Sequence, residues 1–339
     1  MSLTRWIKPL LCCTSVSLAV VSGSDLAKAH DFTDEIASRF SFTYSFTVTD
    51  IPQDAMAARI WVPLPKNDSL QTAQLTALEA PGPVRFTTEQ KHGNRLMYCE
   101  VALPADRELT FSLMWDVTRK QIAAPVPAEA DEPDANAYLG ADKLVPLDGR
   151  VREFAADVAV GDEPAEAKGQ ALYTFTLEHM TYSKEGEGWG RGDVAWACDA
   201  GRGNCSDFHS LFIALSRMRG MPAKFEMGFP LGRTQSAGTV GGYHCWAKFY
   251  DAEHGWRPVD ISEADKDASL ASFFYGRLDP RRIHFTTGRD LILQPAQAGE
   301  PVNFLIYPYI EIDGRAHTGM TKAFRYDGYT PEYDPAHEH

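Results

Sequence analysis

The sequence is short of positive charge. Its 33 lysines and arginines face 46 aspartates and glutamates, giving a formal net charge of −13. That balance argues against a nucleic-acid or anionic-membrane partner, because phosphate contacts need clustered Lys and Arg. Long apolar runs are also missing. The stretch at residues 9–21 is too short to span a bilayer, and no later segment has the length of a membrane span. Cysteine is scarce, with six in 339 residues, and none stand in the paired C-x-x-C spacing of a zinc site. No internal repeat is present. What remains is an ordinary globular composition, 44% hydrophobic and 23% charged, long enough for two cores.

Residues 1–29 have the order of a cleaved secretory signal. Arg5 and Lys8 precede the apolar stretch, and Ala27-Lys28-Ala29 places the expected cleavage after Ala29. Cys12 and Cys13 lie inside the apolar stretch rather than at its end, which is the wrong place for a lipoprotein anchor. The expectation is a periplasmic or secreted protein with no membrane anchor. Cys99, Cys198, Cys205 and Cys245 then remain. An even count in an oxidising compartment suggests disulfides, but a chain this long has core enough without them, and the spacings do not repeat.

Residues 30–122 read as a β-rich, sandwich-like domain. "FSFTYSFTV" (40–48) alternates with period two, and "RIWVPLP" (59–65), "LMYCEVAL" (96–103) and "LTFSLMWDV" (109–117) are further short strands. Cys99 faces that core as an inert thiol. Residues 123–142, rich in Ala, Pro and acid, read as a linker. In residues 143–315 the period changes. Val151, Phe154, Ala155 and Val158 recur at helical spacing, as do Ala171, Leu172, Phe175 and Met180. Strands follow at 223–229, 242–250, 255–261 and 303–312, and 316–339 reads as a tail. The fold class is α+β, with helices packed on an antiparallel sheet in the second domain.

Between those helices and strands stands "GRGNCSDFHSLF" (201–212). Phe208, Leu211, Phe212, Leu215 and Met218 form an apolar helical face, with Gly220 and Pro222 as the stop. Asn204 is a good N-cap and Asp207 can close a capping box, so Cys205 becomes the first helical residue. The helix's unpaired N–H groups and positive dipole end lower a thiol's pKa there, and can receive an oxyanion. A base is also needed. His209, at i+4, lacks a carboxylate to orient it. His244 lies in the strand "YHCWAKFY", which returns as "WRPVDI", and a hairpin loop of odd length puts Asp260 on the same face as His244. Cys245 points to the opposite face as a core thiol, and Cys198 sits in a loop.

The blocks "GRGNCSDFHSLFIALSRMRGMPAKFEMGF", "GGYHCWAKFY" and "HGWRPVDISEA" resemble, in order, the bacterial transglutaminase-like domain, a branch of the papain-like cysteine hydrolase superfamily. The resemblance covers roughly residues 145–265. It implies Cys205 as nucleophile, His244 as acid–base and Asp260 as orienting carboxylate. It also implies a second oxyanion donor upstream, with Tyr182, Trp189 and Trp196 as candidates. A protein or peptide amide substrate is expected, with no metal or organic cofactor required. A zinc site from Cys198, Cys205, His209, His244 and Cys245, and a binding protein that has lost its chemistry, are the rival readings. The "GRTQSAGTVGG" segment (232–242) reads as a mobile polar loop, which favours water over an amine as acyl acceptor.

Overall fold

Period two in the sequence becomes a half-buried strand. β1 (Ala37–Val48) buries Phe40, Phe42, Tyr44, Phe46 and Val48 on one face while the residues between them stay partly exposed. The computed structural model describes residues 36–329 apart from 106, 130, 131, 157, 159 and 160, so the expected signal at 1–29 and residues 330–339 of the expected tail lie outside the described residues. Next come β2 (Ala57–Pro63), β3 (Gln71–Glu79), β4 (Val84–Thr88), β5 (Arg95–Ala102) and β6 (Leu109–Lys120). β6 pairs antiparallel with β1, and the ring of Phe111 stacks on its partner Phe46 with centroids 4.5 Å apart. Each such ring contributes about 1.5–3 kcal/mol on burial.

Residues 149–287 hold α1 (Gly149–Ala156), α2 (Ala165–His179), α3 (Val194–Ala200), α4 (Cys205–Met218), β7 (Ala223–Pro230), β8 (His244–Asp251), β9 (Gly255–Val259), α5 (Ile261–Lys266) and β10 (Arg282–Thr287). The four strands form an antiparallel sheet in the order β9–β8–β7–β10. α4 packs on β7 and β8 and is surrounded by the other helices. Its burial therefore runs all round rather than along one stripe, from Cys205 to Arg217. Cys198, expected in a loop, is on α3. The buried face of α2 is also rotated from the expected one. Ala171 is exposed, and Gly169, Leu172, Tyr173 and Thr176 face inward.

The expected boundaries at 122, 142 and 315 differ from how the strands are shared. β11 (Tyr309–Ile312) pairs with β2, and β12 (Met320–Asp327), expected as tail, pairs with β1. The two sheets of the sandwich are β3–β6–β1–β12 and β4–β5–β2–β11, each extended by a short strand at the β12 or β11 end. The strand expected at 303–312 starts only at Tyr309, after Pro308. The linker is packed too: Val126 bridges Trp256, and Tyr138 is buried with its ring 5.5 Å edge-on from that indole. The described residues fall in one compact unit.

One backbone contact decides how closely β7 and β10 approach. A Cβ on Gly228 would lie 1.8 Å from the carbonyl oxygen of Ile283 and 3.1 Å from the Trp246 ring. Gly228→Ala is therefore expected to lower stability by about 1–3 kcal/mol or more, read as a fall in the urea midpoint. An unchanged midpoint would show that β10 tolerates displacement at this point.

Candidate active site

The start of α4 is built as the capping pattern requires. Asn204 Oδ1 accepts from the Ser206 N–H (2.8 Å), and the Asp207 carboxylate accepts from the Asn204 N–H (2.9 Å), closing the box. Asp207 also accepts from the N–H groups of Gly190 (2.7 Å) and Gly192 (3.0 Å), which ties the glycine-rich loop to the helix. Gly203 leaves room for this. A Cβ there would lie 2.4 Å from Asp207 Oδ2. Cys205 opens the helix at 2% exposure.

His244, the expected base, opens β8. Asp251 pairs with Gly255, leaving a three-residue turn between β8 and β9. Ala247 pairs with Val259, so Asp260, just beyond β9, sits one diagonal step from His244. His244 Nε2 meets Asp260 Oδ2 at 2.7 Å, with both side chains buried. Asp260 also caps α5, its Oδ1 accepting from the Glu263 N–H at 3.3 Å. With Nε2 engaged, Nδ1 is the nitrogen left for the neighbouring Cys205 thiol, and each of the two groups shifts the other's pKa.

The electrostatics follow from these contacts. Burial opposes charge on both partners. For Cys205, hydrogen bonds from Cys245 and His244 and the charge of His244 outweigh burial and hold the thiol well below its ordinary pKa. For His244, the Asp260 carboxylate and the thiolate outweigh burial and raise the imidazole to about 10. Asp260 is held well below the usual carboxylate range against its burial, first by His244 and then by Arg282. At neutral pH the three form a thiolate–imidazolium–carboxylate row.

His209, the other candidate base, has both ring nitrogens committed. Nδ1 lies 2.8 Å from the Cys205 carbonyl, and Nε2 accepts from the Ile261 N–H at 3.0 Å. That fixes the neutral Nδ1–H tautomer, and burial pushes its pKa down to about 4. It braces the first turn of α4, and neither ring nitrogen is free to take a proton.

Cys245 departs from the sequence expectation. It is buried, but its thiol contacts Cys205 and lies 3.8 Å from both Ser206 Oγ and His209 Nδ1. Cys205 opens α4 and His244 opens β8, and at that corner side chains from both faces of the strand reach the sulfur. All four described cysteines are free thiols. Burial raises Cys198 to about 11, in keeping with an inert thiol. Among the described residues no group of three or more His, Cys, Asp or Glu is arranged to hold a metal ion.

Of the three upstream aromatics, Trp189 donates its indole N–H to the Gly186 carbonyl (3.1 Å), and Trp196 Nε1 packs against Gly188. The Tyr182 phenol is pushed up to about 12, by burial and then by the Cys205 charge. Sequence reasoning did not single out Tyr243, whose hydroxyl joins Asn204 Nδ2 (3.1 Å) and Ser206 Oγ (3.0 Å), locking the start of β8 to the start of α4. It also missed Arg282, which donates to Asp260 Oδ2 at 2.8 Å. The segment 232–242 is exposed over 233–237 but is pinned where Gly238 and Thr239 pair with Tyr326 and Arg325.

Comparison with known proteins finds similar chains. A protein of Haemophilus influenzae described as uncharacterized is 27% identical over 338 residues, covering 87% of this chain and 91% of its own. The solved structure of a proposed cysteine protease from Cytophaga hutchinsonii shares the fold, with a TM-score of 0.56 at 15% identity over 85% of this chain and 90% of its own. The model of the transglutaminase-like superfamily matches residues 152–261, a span that holds Cys205, His244 and Asp260. Over residues 152–261, this chain is thus similar to the transglutaminase-like superfamily.

Proposed function

We propose that this protein is an exported cysteine-dependent amide hydrolase, a peptidase or amidase working through a thioester acyl-enzyme. The observation that carries the reading is His244 held between Asp260 at 2.7 Å and the thiol of Cys205. Cys205 attacks the amide carbonyl as a thiolate. The oxyanion is received by the Cys205 N–H at the helix start and by the Tyr182 hydroxyl. His244, already protonated, gives its Nδ1 proton to the leaving amine, which departs as the thioester forms. His244 then takes a proton from water as the water attacks, and the acid is released with the sulfur leaving as the thiolate beside the imidazolium, which restores the starting pair. Asp260 holds Nε2–H throughout. No step calls on a metal or organic cofactor.

The polar, exposed residues 233–237 ahead of the base strand support water as acceptor, although the pinning at Gly238 and Thr239 confines that openness to the loop tip. An amine acceptor would make the protein a transamidase. The alternatives separate when the protein and its Cys205→Ala variant are incubated with a peptide library and a labelled primary amine. New peptide ends or released acid that depend on Cys205, without amine uptake, are expected. Dominant amine incorporation would mean a transamidase, and no Cys205-dependent product would mean a binding protein.

Export rests on the sequence of residues 1–29. No helix among the described residues is long and apolar enough to cross a membrane.

A further inference from the structure

Arg282 opens β10 and has no part in the chemistry described above, yet it touches the orienting carboxylate. Its guanidinium is 3% exposed and engages two carboxylates at once. Nη1 donates to Asp260 Oδ2 at 2.8 Å, and Nη2 to Asp279 Oδ2 at 2.8 Å. Its plane is held 4.9 Å from the centre of the Trp246 ring. Trp246 is fixed in turn, donating Nε1–H to Glu226 at 2.6 Å.

Asp260 Oδ2 is thus shared between His244 Nε2 and Arg282 Nη1, at 2.7 and 2.8 Å. We propose that Arg282 is a positioning residue that fixes Asp260 and sets how tightly His244 holds its proton. This rests on the triad reading of the site.

The physics is a competition for one oxygen. A wholly buried carboxylate facing a lone imidazole binds that imidazole's proton strongly. A base that never releases its proton cannot protonate a leaving group or be reset by water. A permanent cation on the same oxygen draws off part of the carboxylate's field, and the imidazolium becomes a better acid. Asp279 grades the effect, because it takes part of the Arg282 charge for itself. Asp279 also contacts Arg281, through its backbone N–H at 2.9 Å and its Nε at 3.5 Å.

The other titratable groups around the pair are Cys205 and His209 from α4, Cys245 from β8, Tyr173 from α2 and Lys266 from α5. His209 approaches Asp260 Oδ1 only to 3.8 Å and is neutral at pH 7, and Lys266 is bonded to Glu263. Among the described residues, Arg282 is the permanent cation hydrogen-bonded to Asp260.

The test is the NMR titration of His244 in the full chain carrying Cys205→Ala, which removes the thiolate and needs no substrate. Adding Arg282→Gln is expected to raise the His244 midpoint by about one pH unit, a tenfold change in proton affinity. Arg282→Lys restores the charge and is expected to return the midpoint most of the way. In an Asp260→Asn background, Arg282→Gln is expected to raise it less, since only the direct repulsion between guanidinium and imidazolium is then lost. Asp279→Asn releases Arg282 toward Asp260 and is expected to shift the midpoint the other way, downward. If Arg282→Gln does not fold, the Asp279→Asn shift decides. A folded Arg282→Gln variant with an unchanged or lowered midpoint, or no downward shift in Asp279→Asn, overturns the proposal. Loss of the hydrolase reading would appear separately, as absent Cys205-dependent turnover with the His244 shifts intact.

Discussion

Cys205→Ala is expected to remove turnover almost entirely, by about five to six orders of magnitude on the scale of other nucleophile deletions, while the chain stays folded. The separation of rate from stability follows from the position. Cys205 is the first residue of α4, where alanine is well tolerated. The cap rests on Asn204 and Asp207, whose bonds to Ser206 and to the glycine-rich loop do not involve the thiol. The cavity left by one sulfur costs only about 1 kcal/mol. His244 keeps Asp260, so no buried charge is stranded. Turnover and urea unfolding, measured on the same preparation, check both halves. A variant that keeps even a hundredth of the original rate would place the nucleophile elsewhere.

Asp260→Asn is expected to cost about four orders of magnitude in rate. The carboxylate accepts the Nε2 proton of His244 and leaves Nδ1 to the sulfur. An amide can present its N–H to Nε2 instead, which favours the other tautomer and points a proton the wrong way. Asparagine is as good an N-cap as aspartate, so α5 is expected to survive through the bond to the Glu263 N–H. Stability should still fall, by ~3 kcal/mol, because Arg282 loses one of its two buried anions and keeps only Asp279. Rates must therefore be taken well below the unfolding midpoint. A folded Asp260→Asn enzyme within tenfold of the wild-type rate would mean that His244 is oriented by something else.

Much of this site was legible in the chain because local rules governed it. Capping chemistry put Cys205 at a helix start, and strand parity put Asp260 on the same face as His244, while the register of the hairpin sets it one diagonal step away. The sandwich core was legible for the same reason in β1 and β6, where every second residue is apolar. Non-local contacts were not. Arg282 reaches Asp260 from a strand on the far side of β7, and nothing in "DPRRIHFTT" marks one arginine over its neighbour. β12 carries only Phe324 and Tyr326 as buried residues among charged ones, too sparse a pattern to separate from a tail. Cys245 was assigned to the correct face of β8, but the helix packed on that face brings Cys205 down beside it. Faces can be read from periodicity, whereas what covers a face depends on packing.

The most direct measurement is the alkylation rate of each cysteine as a function of pH, in the wild type and in His244→Ala. The account requires Cys205 to be the only fast-reacting thiol, even though it is 2% exposed, and its thiolate to persist at pH values well below the ordinary thiol range because an imidazolium faces it. His244→Ala should move that limb upward toward pH 8.5 or beyond, since burial then acts on the thiol unopposed by the base. Cys245 and Cys198, both held protonated by burial, should stay slow in both proteins. A Cys205 that reacts with an ordinary thiol's pH dependence, or whose profile ignores His244, would contradict the thiolate–imidazolium pair at the centre of the mechanism.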